Sequence, residues 1–193
     1  MTLLHRLAQS PVIAAVRSQE AGEQALASGA ANLFVMDGTV DAVARLAEAA
    51  RSRGKGVFVH LDLVRGLSST DKESLVLLRD WIGADGVVTP KAHLIKEAKR
   101  IGLHAILHLF VIDSRALSAG LSLAESLRPD AVEIMPGALP KIIGAFADTL
   151  PDIPVVASGL IDNPSEAAAA LNAGATSLSV SNRSLWALTH KDL

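Results

Sequence analysis

Eight short apolar runs, each followed by a helix-forming stretch, set the tightest limit on what this chain can fold into. They begin at Pro11 (PVIAAVR), Asn32 (NLFVMD), Gly56 (GVFVHLDL), Gly86 (GVVTP), His104 (HAILHL), Asp130 (DAVEIMPG), Pro154 (PVVASGL) and Thr176 (TSLSVSN). The segments between them read as helices, among them TVDAVARLAEAARSRG, DKESLVLLRDWIG, KAHLIKEAKRIG, SRALSAGLSLAESL, LPKIIGAFADTL and PSEAAAALNAG. Several close on a glycine (Gly54, Gly83, Gly102, Gly174), where a left-handed cap costs least. The last opens on Asn163, with Pro164 at the first helical position, a good start signal. Alternating strand and helix demands a parallel sheet. Over 193 residues, eight units take about 24 residues each. Eight units close into a compact (βα)8 TIM-barrel-like fold, one domain over residues 1–193, whereas an open doubly wound sheet would leave edges.

Composition fits this. Half of the residues are hydrophobic but only 3% are aromatic, so the core must be built from Ala, Val, Leu and Ile, as suits strands covered by helices. There is no cysteine, which excludes a disulfide framework and a thiolate metal site. No run approaches the roughly 20 apolar residues of a membrane span, and the N-terminus lacks a long apolar run behind a basic region. A soluble cytoplasmic protein is expected. The net charge of −2 argues against a surface coated for nucleic acid, though not against a local basic patch.

Sites in such barrels form at the carboxyl ends of the strands. There the chain places Arg17, Asp37, Thr89, His108, Glu133 with Pro136-Gly137, Ser158-Gly159, Ser179, Ser181 and Asn182. The third strand carries His60 and Asp62, two apart and so on one face. Loops after the seventh and eighth strands of such barrels often hold a phosphate. Gly159 allows close approach to the backbone, and Ser158, Ser181 and Asn182, with free amides at the start of NRSLWAL, supply donors beside a helix dipole. Arg17 or Lys91 would be the counter-charge. The same small residues would also serve tight turns. Asp62 and Glu133 read as acceptors for substrate hydroxyls, as a general acid/base pair, or as members of an ion pair with Arg17 or Lys91. His60 is a ligand contact or a satisfied core histidine. Asp113 reads as a helix cap and Asp37 as a turn residue.

Other chemistries find less support. His5, His93, His104 and His190 show no metal-ligand spacing, so neither a metal centre nor a cofactor is expected. GxSxG, HExxH and Walker patterns are absent. A Schiff-base lysine would sit on a strand facing the interior, and none of the eight runs contains one. Basic residues gather at two helix ends, Arg45, Arg51, Arg53 and Lys55 in one and Lys91, Lys96, Lys99 and Arg100 in the other. They complement the helix dipole or form a nucleic-acid patch, without aromatic residues for base stacking.

The strings VFVHLDLVRGL, GVVTPKAHLIKEAKRIGLHAILHLFVIDS, RPDAVEIMPGALPKII, PVVASGLI and SNRSLW resemble the glycerol-3-phosphate-responsive antiterminator family, in order and at similar spacing from PVIAAVR to SNRSLW. The paired patterns H-x-D-L-x-x-G and E-x-x-P-G are its more specific marks. The resemblance implies a TIM-barrel-like fold, glycerol 3-phosphate as effector, and action on the leader mRNA of glycerol-utilisation genes to prevent termination. Arg17, His60, Asp62, Glu133, Pro136, Gly137, Gly159, Ser181 and Asn182 stand where the family has those types. The chain departs from it at Leu107-His108, where many members have a Gln-Arg pair, and at Ser158-Gly159, where the family favours Gly-Gly. Thr89-Pro90-Lys91 stands where they often have Ser-Thr followed by Arg or Lys.

Two readings result. The first is a ligand-sensing regulator. The phosphate would sit on Gly159, Ser158, Ser181 and Asn182, with Arg17 or Lys91. The hydroxyls would meet Asp62, Glu133 and His60. Leader mRNA would lie along Arg51, Arg53, Lys55, Lys96, Lys99 and Arg100, and a homo-oligomer stays open as the working form. The second is a barrel enzyme, an isomerase, lyase or phosphodiesterase acting on a small phosphorylated polyol, with Asp62 or Glu133 as base.

Overall fold

A computed structural model of the chain describes residues 3–193. The eight expected strands are β1 Val12–Val16, β2 Asn32–Val35, β3 Gly56–His60, β4 Gly86–Thr89, β5 His104–Phe110, β6 Ala131–Met135, β7 Val155–Ser158 and β8 Ser177–Val180. They close in sequence order into a barrel, and the closing pair, β1 with β8, is parallel like the pairs before it.

Around the barrel run α1 Leu3–Leu7, α2 Gln19–Ala27, α3 Val40–Arg51, α4 Glu73–Leu77, α5 Ala92–Arg100, α6 Ser114–Leu127, α7 Pro140–Thr149 and α8 Pro164–Asn172. Their boundaries follow local chemistry. Ser18, Thr39, Asp113 and Asn163 accept hydrogen bonds from first-turn amides, which replaces partners the helix itself cannot provide. Gly54, Gly83, Gly102 and Gly174 all have positive φ, as their positions after helices predicted. The fourth helical segment is less regular than its sequence suggests, because α4 passes into a π-helical turn at Leu78–Ile82 before Gly83 ends it.

The strands are short and buried on both faces, yet alternation persists. Val12, Ala14 and Val16 of β1 pack outward against the helices, whereas Ile13 and Ala15 point into the barrel. Helices contribute small residues such as Ala47, Ala98, Ala124 and Ala170 to the outer layer, which lets them approach the sheet closely, and α7 adds the buried ring of Phe146. Inside, Phe34 and Phe58 meet edge to face at 5.7 Å, beside Val88, Ile106, Ala131 and Val156. Leu3 and Leu7 of α1 join this inner cluster. Arg6 holds the helix there through Asp85 at 3.2 Å and, by its carbonyl, Asn32 at 2.9 Å. The amino-terminal end of the barrel is thus plugged by apolar residues, which leaves the carboxyl end for chemistry.

Candidate functional site

One step beyond the apolar inner layer, the interior changes character. His60, His108, Glu133 and Ser158 follow Phe58, Ile106, Ala131 and Val156 by two residues and so share the inward face. All four are buried, Glu133 completely. Pairing of β5 with β6 sets His108 opposite Glu133. Glu133 Oε2 lies 2.6 Å from His108 Nδ1 and 3.4 Å from His60 Nε2. With the carboxylate ionised, His108 Nδ1 must donate. The two imidazoles lie 5.5 Å apart, nearly perpendicular. Phe34 packs edge-on against His60 at 5.7 Å and Phe110 against His108 at 4.5 Å, so each imidazole has an aromatic neighbour.

Burial pushes the Glu133 carboxyl up, but the charge of His60 and the hydrogen bond and charge of His108 outweigh it and hold the group below the usual carboxylate range. The Ser158 hydroxyl adds a loosely aligned contact, and Glu133 Oε1 keeps no well-formed hydrogen bond. Burial pushes His60 down; Glu133 and Asp62 pull the other way, and His108 and Arg17 repel its charged form. His60 Nε2 is also without a hydrogen bond. A buried polar atom left open is costly, and here two of them belong to one cluster.

Several expected contacts take another form. Asp62 does not extend the strand face of His60. β3 ends at His60, and Asp62 lies exposed on a 3-10 turn, Leu61–Leu63, where its carboxylate accepts the Thr89 hydroxyl at 3.3 Å. Neither carboxylate pairs with Arg17 or Lys91; the partners of Glu133 are the imidazoles. Arg17 stands exposed just after β1, close enough to repel a charged His60. Lys91 precedes α5 and donates its amide to Thr89 Oγ1 at 3.2 Å. Asp37 is a rim residue, 2.8 Å from Arg65.

The β7–β8 edge is built mainly from backbone. Gly159 has φ of +79°, and a Cβ there would press on the Met135 side chain at 3.1 Å. Gly137 donates to the carbonyls of Ser158 and Gly159 at 2.6 and 3.0 Å. A Cβ on Gly137 would come within 2.6 Å of the Ser158 nitrogen, which explains the glycine of the E-x-x-P-G string physically. Ser181 is exposed. The expected helix start after it is a three-residue 3-10 turn, Arg183–Leu185. Asn182 is its cap, accepting from the Ser184 amide and hydroxyl and donating to the Asp162 carbonyl at 2.8 Å. One amide foreseen for an anion is therefore occupied, and so short a turn supplies little dipole.

The basic residues lie at the other end of the barrel. Arg51 donates to the Gly83 carbonyl, Arg53 to Ala49, and Lys55 to Ser28 and Ala30. Lys99 bonds the Arg128 carbonyl, Arg100 holds Glu97 at 2.6 Å, and Lys96 is exposed. His108 was readable as a polar strand end; its place beside His60 and Glu133 was not, since register between separate strands sets it.

Comparison with known proteins agrees with this architecture. The family model described as glycerol-3-phosphate responsive antiterminator matches residues 12–186. An uncharacterized protein of Escherichia coli K12, YgcP, is 34% identical over 193 residues, 99% of each chain. The crystal structure of the glycerol uptake operon antiterminator regulatory protein of Listeria monocytogenes superposes with a TM-score of 0.84 at 31% identity, over 91% of this chain and 94% of that one. A glycerol uptake operon antiterminator-related protein of Thermotoga maritima gives 0.80 at 30% identity, over 92% and 98%. The chain belongs to the glycerol-3-phosphate responsive antiterminator family.

Proposed function

We propose that this protein is a regulator that senses glycerol 3-phosphate at the carboxyl end of its barrel and acts on the leader mRNA of glycerol-utilisation genes to prevent transcription termination. The observation that carries this reading is family membership over residues 12–186, joined to a polar layer at the end of the barrel where such folds bind ligands. The phosphate would rest on Gly159, Ser158, Ser181 and Asn182, with Arg17 or Lys91 supplying charge. Asp62, on the exposed rim, would take a hydroxyl directly. Glu133 and His60 are buried beneath it and would be reached only by a ligand that enters the layer. Arg51, Arg53, Lys55, Lys96, Lys99 and Arg100 remain the candidate RNA contacts, with no cofactor besides the effector. Ligand binding can act on RNA only if it favours one conformation or oligomer over another.

Calorimetric titration with glycerol 3-phosphate, with glycerol and inorganic phosphate as controls, tests the first half. Saturable binding to glycerol 3-phosphate, weakened by Asp62→Ala and Gly159→Val, is expected. Leader RNA affinity measured at fixed salt with and without saturating effector tests the second half, and an unchanged affinity would sink the switch. The Glu133–His108 contact at 2.6 Å favours a second reading, an isomerase, lyase or phosphodiesterase using this pair for proton transfer. Turnover of a phosphorylated triose or polyol, lost in Glu133→Gln with binding intact, would establish it.

A further inference from the structure

We infer that His60, His108 and Glu133 form a binding site for one divalent transition-metal ion of the zinc class, with its outer coordination positions facing the mouth of the barrel. The three residues come from β3, β5 and β6 and converge on one point, each offering an atom within 4.8 Å of the others. Two imidazole nitrogens and one carboxylate oxygen form a donor set suited to Zn2+, Fe2+ or Co2+, and too rich in nitrogen for Mg2+ or Ca2+.

Spacing supports this. Two donors about 2.0–2.1 Å from a tetrahedral ion lie about 3.3 Å apart. His60 Nε2 and Glu133 Oε2 lie 3.4 Å apart without the alignment of a hydrogen bond, a separation that suits two ligands of one ion. His108 Nδ1 at 2.6 Å would open by about 0.7 Å as the ion enters. A neutral His108 would take the Nε2-protonated tautomer, and an imidazolium would release its Nδ1 proton to solvent; either way Nδ1 is left with a lone pair for the metal.

The unmet valences support it independently. His60 Nε2 and Glu133 Oε1 have no hydrogen bond, and both side chains are more than nine-tenths buried. No arginine or lysine approaches Glu133 within ion-pair distance among the described residues; its partners are the two imidazoles. A dication would satisfy the carboxylate and both rings at once. Phe34 and Phe110 pack edge-on against the two imidazoles, a contact that favours the ring orientations preorganised ligands need. Three protein ligands leave at least one position open. The open side faces the rim that carries Asp62 and Arg17, so water or a ligand oxygen would complete the shell.

The test uses the full chain, stripped with a chelator and dialysed. Titration with Co2+ should give visible absorption bands saturating at one ion per chain, and Zn2+ should displace it at equal stoichiometry, with Mg2+ silent. His60→Ala, His108→Ala and Glu133→Gln should each weaken Co2+ binding by more than about 100-fold, beyond the usual loss on removing an outer-shell partner. Circular dichroism and a His190→Ala control separate this from misfolding and from surface histidines. If Glu133→Gln unfolds, folded His108→Ala still decides. Absence of stoichiometric Co2+ binding, or binding unchanged in the folded His108→Ala and His60→Ala variants, overturns the site.

Discussion

The two walls of the barrel mouth are made in opposite ways. On the β7–β8 side, the contacts are made by small residues and backbone groups. Gly137 bonds the carbonyls at the end of β7, and Asn182 ties the last turn to Asp162. On the β3–β5–β6 side, three titratable side chains are buried together and two of their polar atoms lack hydrogen bonds. The first wall is held mainly by backbone, and what it leaves open are two small neutral groups, the Ser177 and Ser179 hydroxyls of β8. The second is stable only as a coupled charge cluster, so removing one member harms the rest. The walls should therefore fail differently.

The largest effect should come from Glu133→Ala. Breaking a buried ion cluster by removing one partner costs about 3–5 kcal/mol, here by leaving His108 without its acceptor and His60 without the neighbouring negative charge. Urea unfolding of the chelated protein measures it. Glu133→Gln should cost less, since it keeps the shape and an acceptor. A loss below that of the edge variants would reverse the ranking of the walls.

Acid should find the same wall. The folded pKa of His60 is depressed by burial from its ordinary 6.5. The unfolded chain therefore takes up a proton first, and stability falls as pH drops below about 6.5. The folded pKa of Glu133 is also below its ordinary value. Its contribution is fully present above about 4.5 and is lost as pH falls through the folded value. Both act in one direction, with a slope of up to about 1.4 kcal/mol per pH unit for each proton. Urea midpoints of the chelated protein between pH 7 and 3 should decline, and more shallowly in Glu133→Gln.

On the other wall, Gly137→Ala should cost about 1–3 kcal/mol, because a Cβ meets backbone at 2.6 Å and no flexible side chain can yield. Asn182→Ala should cost about 1 kcal/mol through the lost cap, leaving Co2+ binding intact. An equal loss of metal from Asn182→Ala would mean that the two walls are one unit.

These walls also differ in how far they could be read from sequence. Asn163, Asp113 and Gly174 act on their neighbours within a few residues, so their roles and the alternation around them, and with these the barrel, were legible. Gly137 was legible as part of a motif, though its reason, contact with β7, was not. Asp62 was misplaced because nothing in HLDL signals that the strand stops at His60. The cluster was the least legible part. His60, His108 and Glu133 are 48 and 25 residues apart in turn, and spacing along a chain says nothing about three strands meeting inside a barrel. His108 attracted notice as a polar strand end and as a histidine where many members of the resembling family have arginine, neither of which pointed to its partners.

The smallest effect concerns the far end of the molecule. Arg51, Arg53, Lys55 and Lys99 already hold backbone carbonyls, and Arg100 holds Glu97. Phosphate contacts there would have to displace those bonds. Lys96 is exposed on α5 between the paired residues, so it is the cation with least to give up. If leader RNA uses this face, Lys96→Ala should lower affinity uniformly across RNA sequences and reduce the slope of log affinity against log salt by about 0.7–0.9. Effector affinity should not move, because α5 ends at the opposite face from the mouth. Filter binding across a salt series measures the slope. An unchanged slope would take RNA off this face and place it nearer the mouth, where the two walls would then have to carry both the effector and its output.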